Sequence, residues 1–226
     1  MASPVVRPLS HRILEAGALA IFLGYAVCFL YRISIASETF GDRFTVFAGL
    51  FAGYLCADLI SGTAHWMGDR FWSETTPVLG PNFIAPFREH HIEPDEIVEH
   101  GVVELVGNTA IFALPVLAGT YHALDMQSGA GRSLFLAGLL LSAMVGVVVT
   151  NLFHRWAHMD QPPLHARLLQ RTGLVLSRDH HARHHSGDFD RAYCITTGWM
   201  DRILDPMKVW QRIERLVGRD QQVGGS

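Results

Sequence analysis

Residues 133–158 read SLFLAGLLLSAMVGVVVTNLFHRWAH, an apolar run that carries no charge before it reaches the histidines His154 and His158. Roughly 20 helical residues cross the hydrocarbon core of a bilayer, so residues 133–153 predict a membrane-spanning helix. His154 and His158 stand four residues apart and would stack on one helix face just beyond the span. The stretch therefore predicts a membrane helix that carries a pair of metal ligands at its end.

Three further apolar stretches are long enough to cross a bilayer, and together the four predict an all-α protein built as a four-helix transmembrane bundle. The predicted spans cover residues 13–31, 44–64, 102–121 and 133–153. We expect one membrane domain over 13–218, in which a helical, histidine-rich cap comprises 65–101 and 154–218. An N-terminal segment, 1–12, precedes this domain, and a flexible tail, 219–226, follows it.

The basic residues predict the orientation of the spans. Of the 18 lysines and arginines, only Arg32, Arg43 and Arg132 lie in the loops 32–43 and 122–132. Because cytoplasmic loops carry the excess of positive charge, the cap and both termini are expected in the cytoplasm. The host membrane would be a bacterial inner membrane or the endoplasmic reticulum. The formal net charge of -3 argues against nucleic-acid binding.

Ten of the 13 histidines cluster at this predicted cytoplasmic side. They are His65, His90, His91, His100, His154, His158, His180, His181, His184 and His185. The run HHARHH at 180–185 contains pairs three and four residues apart, so one helical turn could serve two ions. The adjacent His90 and His91 would point in different directions on a helix, which suits either bridging between two ions or a division in which one binds the ion and the other supports a ligand. Ten nitrogens exceed the roughly four ligands of a zinc site and suit two six-coordinate ions.

Imidazole binds iron, copper, zinc and nickel, so the ligand type alone leaves the metal open. Carboxylates that could orient the histidine rings lie nearby in sequence, and they are Asp58, Asp69, Glu89, Glu93, Glu104 and Asp179. Asp58 lies inside the second span, where an acid is costly unless it has a partner. No catalytic residue separate from the metal site is predicted.

Several motifs resemble the Kua (TMEM189-type) family of lipid desaturases, over about residues 52–215. They are Asp58-Leu59-Ile60-Ser61-Gly62 with His65-Trp66, Pro86-Phe87-Arg88-Glu89-His90-His91-Ile92-Glu93-Pro94, His154xxxHis158, His180-His181xxHis184-His185 and Tyr193-Cys194-Ile195-Thr196-Thr197-Gly198-Trp199. The resemblance implies that the ten histidines hold two iron ions. The family includes enzymes that form the vinyl ether of plasmalogens from plasmanylethanolamine, and plastid enzymes that desaturate an acyl chain of phosphatidylglycerol.

One stretch departs from the family pattern. After the equivalent of Glu104 the family has Asn-Gly-Asp-Asn, whereas this chain has Val106-Gly107-Asn108-Thr109. An acid expected near the start of the third span is therefore absent, and Asn108 is left as a weak oxygen ligand or as a group that orients one.

The resemblance implies a membrane phospholipid desaturase that uses O2 and electrons from a separate carrier, such as cytochrome b5 or ferredoxin with its reductase. The sequence itself has no flavin, haem or iron–sulfur motif. Arg88 and Arg183 are candidates for contact with the lipid head group. Vinyl-ether formation is favoured, while acyl-chain desaturation and lipid hydroxylation stay open.

A membrane metal transporter or haem protein is the alternative of another class. A transporter would carry ligands near the middle of the membrane rather than at one edge. The oligomeric state is not predicted.

Overall fold

The computed structural model describes residues 8–126 and 130–218, apart from the side chains of Asn82 and Ala130. Within these residues helices are the only regular secondary structure and there is no strand, as predicted. The α-helices are α1 (Leu9–Ala36), α2 (Phe40–Arg70), α3 (Ala85–Ile92), α4 (Glu96–Glu99), α5 (Val102–Ala123), α6 (Ala130–His158), α7 (Leu164–Thr172), α8 (Arg178–Ala182), α9 (Asp201–Leu204) and α10 (Val209–Leu216). A π-helix, Gly80–Ile84, leads into α3. The predicted tail 219–226 lies outside the described residues.

In the described part of the chain four helices, α1, α2, α5 and α6, are long and apolar enough to cross a membrane, which confirms the predicted number of spans. Each is longer than the apolar run that predicted it. The reason is visible in α2 and α6, which continue as helix through polar residues to Arg70 and His158. The first residues of the predicted cap are thus the last turns of two long helices.

The chain divides into two compact units. Unit 1 comprises Met1–Ala57 and His100–Leu152, and unit 2 comprises Asp58–Glu99 and Phe153–Ser226. The core of unit 1 is apolar, with Phe22, Phe29 and Leu117 almost fully buried. Large apolar side chains also cover much of its outer surface, as expected of helices that face lipid.

Small residues set the helix spacing in unit 1. A Cβ added at Gly138 on α6 would lie 2.7 Å from the carbonyl oxygen of Val46 on α2. A Cβ added at Gly107 on α5 would lie 2.8 Å from the Cβ of Glu15 on α1. Such close backbone approach is typical of helices packed inside membranes, where small residues line the contact.

Unit 2 is organised around a buried, non-helical segment, 193–200. The carboxylate of Asp58 accepts backbone N–H bonds from Thr197 (2.7 Å), Gly198 (3.0 Å) and Met200 (3.0 Å). One turn further along α2, the hydroxyl of Ser61 accepts the backbone N–H of Ile195 at 3.2 Å. The buried acid in α2 therefore has its partners in the backbone, and it fixes this segment against the helix that carries His65.

Candidate metal centre

Five histidines of unit 2 bring their ring nitrogens together and form what we call the five-histidine cluster. Its members are His90, His154, His158, His181 and His185. The last turn of α6 supplies two of them, α3 supplies His90, and α8 with the turn after it supplies the others. Ser177 caps α8 by accepting the backbone N–H of His180 at 3.2 Å, which starts the helical turn that presents this run of histidines.

The spacing of these nitrogens fits a shared metal ion. The Nε2 atom of His181 lies 2.8 Å from that of His154, 2.8 Å from that of His158 and 3.0 Å from that of His185. The Nε2 atoms of His154 and His158 are 3.2 Å apart. Two nitrogens bound at about 2.1 Å to one ion, at right angles, lie about 3 Å apart.

Hydrogen bonding among the rings cannot satisfy this arrangement by itself. A neutral imidazole has one donor and one acceptor nitrogen, so each Nε2 is one or the other. In the triangle formed by His154, His158 and His181, at least two Nε2 atoms are therefore of the same kind and repel each other. The Nε2 of His90 is buried and has no hydrogen-bond partner among the described residues. A cation among these lone pairs removes both penalties.

The second group of ligand atoms, the mixed cluster, adds a carboxylate. It consists of His65, Asp69, His91 and His184. One oxygen of Asp69, Oδ2, lies 3.3 Å from the Nε2 of His184, 3.4 Å from that of His91 and 3.7 Å from that of His65. Both carboxylate oxygens of Asp69 are buried and accept no hydrogen bond from any described residue.

Backbone carbonyls fix two rings of the mixed cluster. The Nδ1 of His65 lies 3.2 Å from the carbonyl oxygen of Tyr193, and the Nδ1 of His184 lies 2.8 Å from that of Arg191. A carbonyl can only accept, so each Nδ1 carries the proton and each Nε2 presents a lone pair to Asp69. Lone pairs aimed at a buried carboxylate are the arrangement that a bound cation requires.

Burial keeps the rings neutral and available as ligands. Loss of hydration lowers the pKa of His90 to about 2, and it lowers the pKa of His91, His184 and His185 to about 4. The pKa of His181 is also lowered, first by burial and then by its histidine neighbours. These five imidazoles therefore stay unprotonated at neutral pH, as metal binding demands.

Neighbouring histidines in the sequence divide between the two clusters. His90 belongs to the five-histidine cluster and His91 to the mixed cluster, and His185 and His184 divide in the same way. The ring centroids of His184 and His185 are only 5.4 Å apart. The two clusters are therefore adjacent, and each could hold one metal ion.

Two of the ten predicted ligands, His100 and His180, do not lie in either cluster, because carboxylates hold them elsewhere. The Nδ1 of His100 is 2.8 Å from Oε1 of Glu104 in unit 1. The Nε2 of His180 is 2.8 Å from Oδ2 of Asp201, a carboxylate that also accepts the backbone N–H of Cys194. The structure brings the other eight together and adds Asp69, which the sequence had offered only as a ring-orienting group.

The remaining predicted supporting groups lie apart from the ligand atoms. Glu89 is exposed on α3, and Asp179 is exposed in the first turn of α8. Asn108 is half-buried on α5 in unit 1. None of these three belongs to a ligand cluster in the described part of the chain.

The two arginines predicted to contact a head group have different surroundings. Arg88 donates to the carbonyl oxygen of Trp72 at 2.8 Å and lines a cleft of about 160 Å³. The other residues of this cleft are Asp69, Arg70, His91, Asp188 and Phe189. Arg183 is exposed and donates to the ring of His180 at 2.9 Å. The cleft beside Arg88 thus opens on the mixed cluster, whereas Arg183 lies beside a histidine outside both clusters.

The sequence did not reveal the groups that position this centre from a distance. Asp201 and the carbonyl groups of Tyr193 and Arg191 had no spacing or motif that linked them to the histidines. Of these three residues only Tyr193 lies in a run that the sequence singled out, Tyr193–Trp199, and no role was predicted for that run. The structure shows that role to be the support of His65 from the backbone.

Comparison with known proteins gives one consistent result. Residues 54–224 match the family model described as the lipid desaturase domain. The chain is 37% identical over 215 residues to a plasmanylethanolamine desaturase of Myxococcus xanthus, covering 95% of this chain and 73% of that protein. It is 34% identical over 175 residues to plasmanylethanolamine desaturase 1 of Mus musculus, covering 76% of this chain and 65% of that protein.

A further relative is named for an acyl substrate. The chain is 34% identical over 167 residues to the chloroplastic fatty acid desaturase 4 of Arabidopsis thaliana, covering 73% of this chain and 49% of that protein. No solved structure matches the chain.

Proposed function

Because the chain belongs to the lipid desaturase family, we propose that it is an O2-dependent, di-iron membrane desaturase that forms the vinyl ether of plasmalogens in plasmanylethanolamine. The single observation that carries the di-iron part is the pair of adjacent ligand clusters with their unsatisfied lone pairs. Eight imidazoles and one carboxylate suit a pair of iron ions better than a lone zinc ion, which is usually bound by four ligands.

The proposed reaction removes one hydrogen from each of the first two carbons of the ether-linked chain. One O2, two electrons and two protons are consumed with these hydrogens, and two water molecules leave. Iron ions held by the clusters would supply the O2 reduction and the oxidising power for C–H removal, which no amino-acid side chain provides.

The chain's own residues would hold and orient this chemistry. The carbonyl groups of Tyr193 and Arg191 keep the Nε2 atoms of His65 and His184 turned toward the centre. In its ionised form Asp69 would place one negative charge among neutral rings and offset part of the charge of a bound cation. We assign Arg88, at the cleft beside the mixed cluster, to the phosphate of the lipid head group.

The substrate assignment rests on similarity. The relatives from Myxococcus xanthus and Mus musculus are both named for plasmanylethanolamine. The second candidate, desaturation of an acyl chain, is favoured by the similarity to chloroplastic fatty acid desaturase 4. The third possible reaction is hydroxylation of the same lipid, and analysis of the product distinguishes it from both kinds of desaturation.

We place the enzyme in a bacterial inner membrane or the endoplasmic reticulum, with both termini and the histidine clusters on the cytoplasmic side. The count of four spans and the excess of basic residues outside the loops 32–43 and 122–132 support this topology. A separate carrier, such as cytochrome b5 or ferredoxin with its reductase, would deliver the electrons.

The test is lipid analysis of cells that lack this protein and then regain it. Restored wild type should produce acid-labile vinyl ethers with the loss of two hydrogens from plasmanylethanolamine. His184→Ala should not restore them, whereas His165→Ala, which changes an exposed histidine outside both clusters, should. A new double bond only in acyl chains would favour the second candidate. A product that gains one oxygen atom would identify a hydroxylase and refute desaturation.

A further inference from the structure

The outward face of α10 carries a row of cations. Arg212 and Arg215, three residues apart on α10, lie on one side of the helix, and Lys208 directly precedes the helix as its N-cap residue. All three are exposed, and we call them the basic stripe. Arg202 on α9 adds another exposed cation just before it in the chain.

The two acids of this segment are partly or fully buried. Residues 202–218 contain two acids, Asp205 and Glu214. The carboxylate of Asp205 accepts the backbone N–H of Ala192, at 3.3 Å to each oxygen. Glu214 is buried, and its partners are Trp66 and Arg70. The fully exposed charges of α10 and of Lys208 directly before it are therefore all positive, which attracts an acidic partner from a distance.

The inner face of α10 is fastened to the helix that supplies the mixed cluster. Glu214 accepts the indole N–H of Trp66 at 2.8 Å and a two-point bond from the guanidinium of Arg70, at 2.9 and 3.1 Å. Trp66 and Arg70 lie on α2 beside His65 and Asp69. A paired, two-point contact of this kind fixes geometry as well as charge, so α10 is held rigidly with respect to these ligands.

A chain of packed rings leads from α10 to the mixed cluster. Trp210, which faces inward beneath the basic stripe, is 3% exposed. Its ring centroid lies 5.7 Å from that of Tyr193. The ring of Tyr193 in turn lies 5.0 Å from that of His184 and 5.8 Å from that of His65. The surface helix is thus joined to two ligands of the mixed cluster by direct ring contacts.

We propose that the basic stripe, with Arg202, is the docking surface for a small acidic one-electron carrier protein, whose electrons reach the mixed cluster through Trp210 and Tyr193. The inference rests on the proposed function, because desaturation needs two electrons for each double bond. Two reduced carriers each lose one electron, and O2 is reduced to water as the lipid is oxidised. An anionic membrane surface would also bind the basic stripe. Membrane binding, however, would not account for the chain of packed rings that connects this stripe with the metal ligands.

Charge reversal at the exposed stripe tests the docking surface without disturbing the core. The iron-loaded, full-length protein in phosphatidylcholine nanodiscs is mixed anaerobically with a reduced, negatively charged plant-type ferredoxin. In the Arg212→Glu/Arg215→Glu variant, the second-order rate of reduction should fall at least about 10-fold at low salt and lose its salt dependence. The matched control is Arg167→Glu/Arg171→Glu, which reverses two exposed cations on α7 and should leave the rate unchanged.

Photoreduced deazaflavin, a small reductant that needs no docking, separates this inference from the proposed function. All variants reduced in this way should form the double bond in one turnover when O2 is added. If the wild type forms none, the proposed function fails. If the wild type does form it but the stripe variant accepts ferredoxin electrons normally, the docking surface is wrong. Equal losses in both charge-reversal variants, or a loss seen only in nanodiscs that contain phosphatidylglycerol, would also overturn it.

The ring route is tested by its effect at saturating carrier. Trp210→Phe keeps an aromatic ring at this position, and Trp210→Leu removes it. Only the leucine variant should lower the limiting reduction rate, and neither should change the apparent Kd for ferredoxin, because the stripe is intact. If the leucine variant had the wild-type limiting rate, Trp210 would not be part of the electron route.

Discussion

Within the described residues both units pack apolar side chains, and unit 2 also buries a cluster of histidines. The core of unit 1 is closed by apolar residues such as Phe22 and Phe29 and by backbone contacts at glycines. Unit 2 buries His65, His181 and His184 almost completely and adds a carboxylate, Asp69, that has no hydrogen bond among the described residues. Apolar packing is complete without a ligand, whereas buried lone pairs are costly until a cation binds them. Metal binding should therefore stabilise unit 2 and leave the stability of unit 1 unchanged.

The largest loss of activity is expected when either of two adjacent histidines, one from each cluster, is replaced by alanine. His184→Ala leaves the mixed cluster with two imidazoles and one carboxylate, while His185→Ala leaves the five-histidine cluster with four imidazoles. Desaturation should fall by more than about 100-fold in His184→Ala, since even groups that only support ligands are worth about 10–100-fold. The two variants are compared by their iron content and by the amount of vinyl ether that they form.

The comparison between these two variants is the sharper test. His185→Ala should retain more iron than His184→Ala, because more ligands remain in its cluster. An iron loss in His185→Ala as large as that in His184→Ala would contradict the unequal ligand sets that the structure assigns to the two clusters.

The next effect concerns the one carboxylate among the ligands. Asp69→Asn keeps the shape of the side chain and removes its charge, so the mixed cluster should bind iron about 10–100-fold more weakly. Titration of the iron-free protein with ferrous ion measures this. Glu89→Gln, an exposed amide substitution on α3, should change binding by no more than about twofold. Equal iron affinity of Asp69→Asn and wild type would remove Asp69 from the cluster.

Local patterns in the sequence predicted the four membrane helices and drew attention to the histidines. Apolar length gives the spans, and the spacing of His154 and His158 depends only on helix geometry, so both can be derived without tertiary structure. The adjacency of His90 and His91 on a helix predicts only that their rings point in different directions, and their membership of different clusters is seen in the structure.

The roles of the acids could not be predicted, because they depend on segments far apart in the chain. Asp58 and Asp69 lie on the same helix, yet one holds the backbone of Thr197 and the other faces His91 and His184. His180 has the same local spacing as its neighbours but meets Asp201 instead of a cluster. Sequence spacing identifies which residues can share a face, and only packing decides what that face meets.

Removal of iron should loosen unit 2 alone. Each buried polar group left without a partner costs on the order of 1–3 kcal/mol, so helices that carry cluster histidines should open more readily without metal. Amide hydrogen exchange should therefore accelerate in Ala85–Ile92 and Arg178–Ala182 after chelation, and it should stay constant in Val102–Ala123. Faster exchange in α5 to the same extent would show that metal also stabilises unit 1.

The smallest effect comes from glycines of a single helix in unit 1. A Cβ at Gly107 would lie 2.8 Å from the Cβ of Glu15 and 2.9 Å from its carbonyl oxygen, whereas a Cβ at Gly119 would meet nothing within 4 Å. Gly107→Ala should lower the free energy of unfolding by about 1–3 kcal/mol because α1 and α5 must move apart. Gly119→Ala should raise it by up to about 1 kcal/mol, since alanine favours helix. Thermal unfolding of iron-loaded protein measures both, and iron content should stay at the wild-type level. If Gly107→Ala lost iron while its free energy of unfolding stayed at the wild-type value, metal binding would depend on the packing of unit 1.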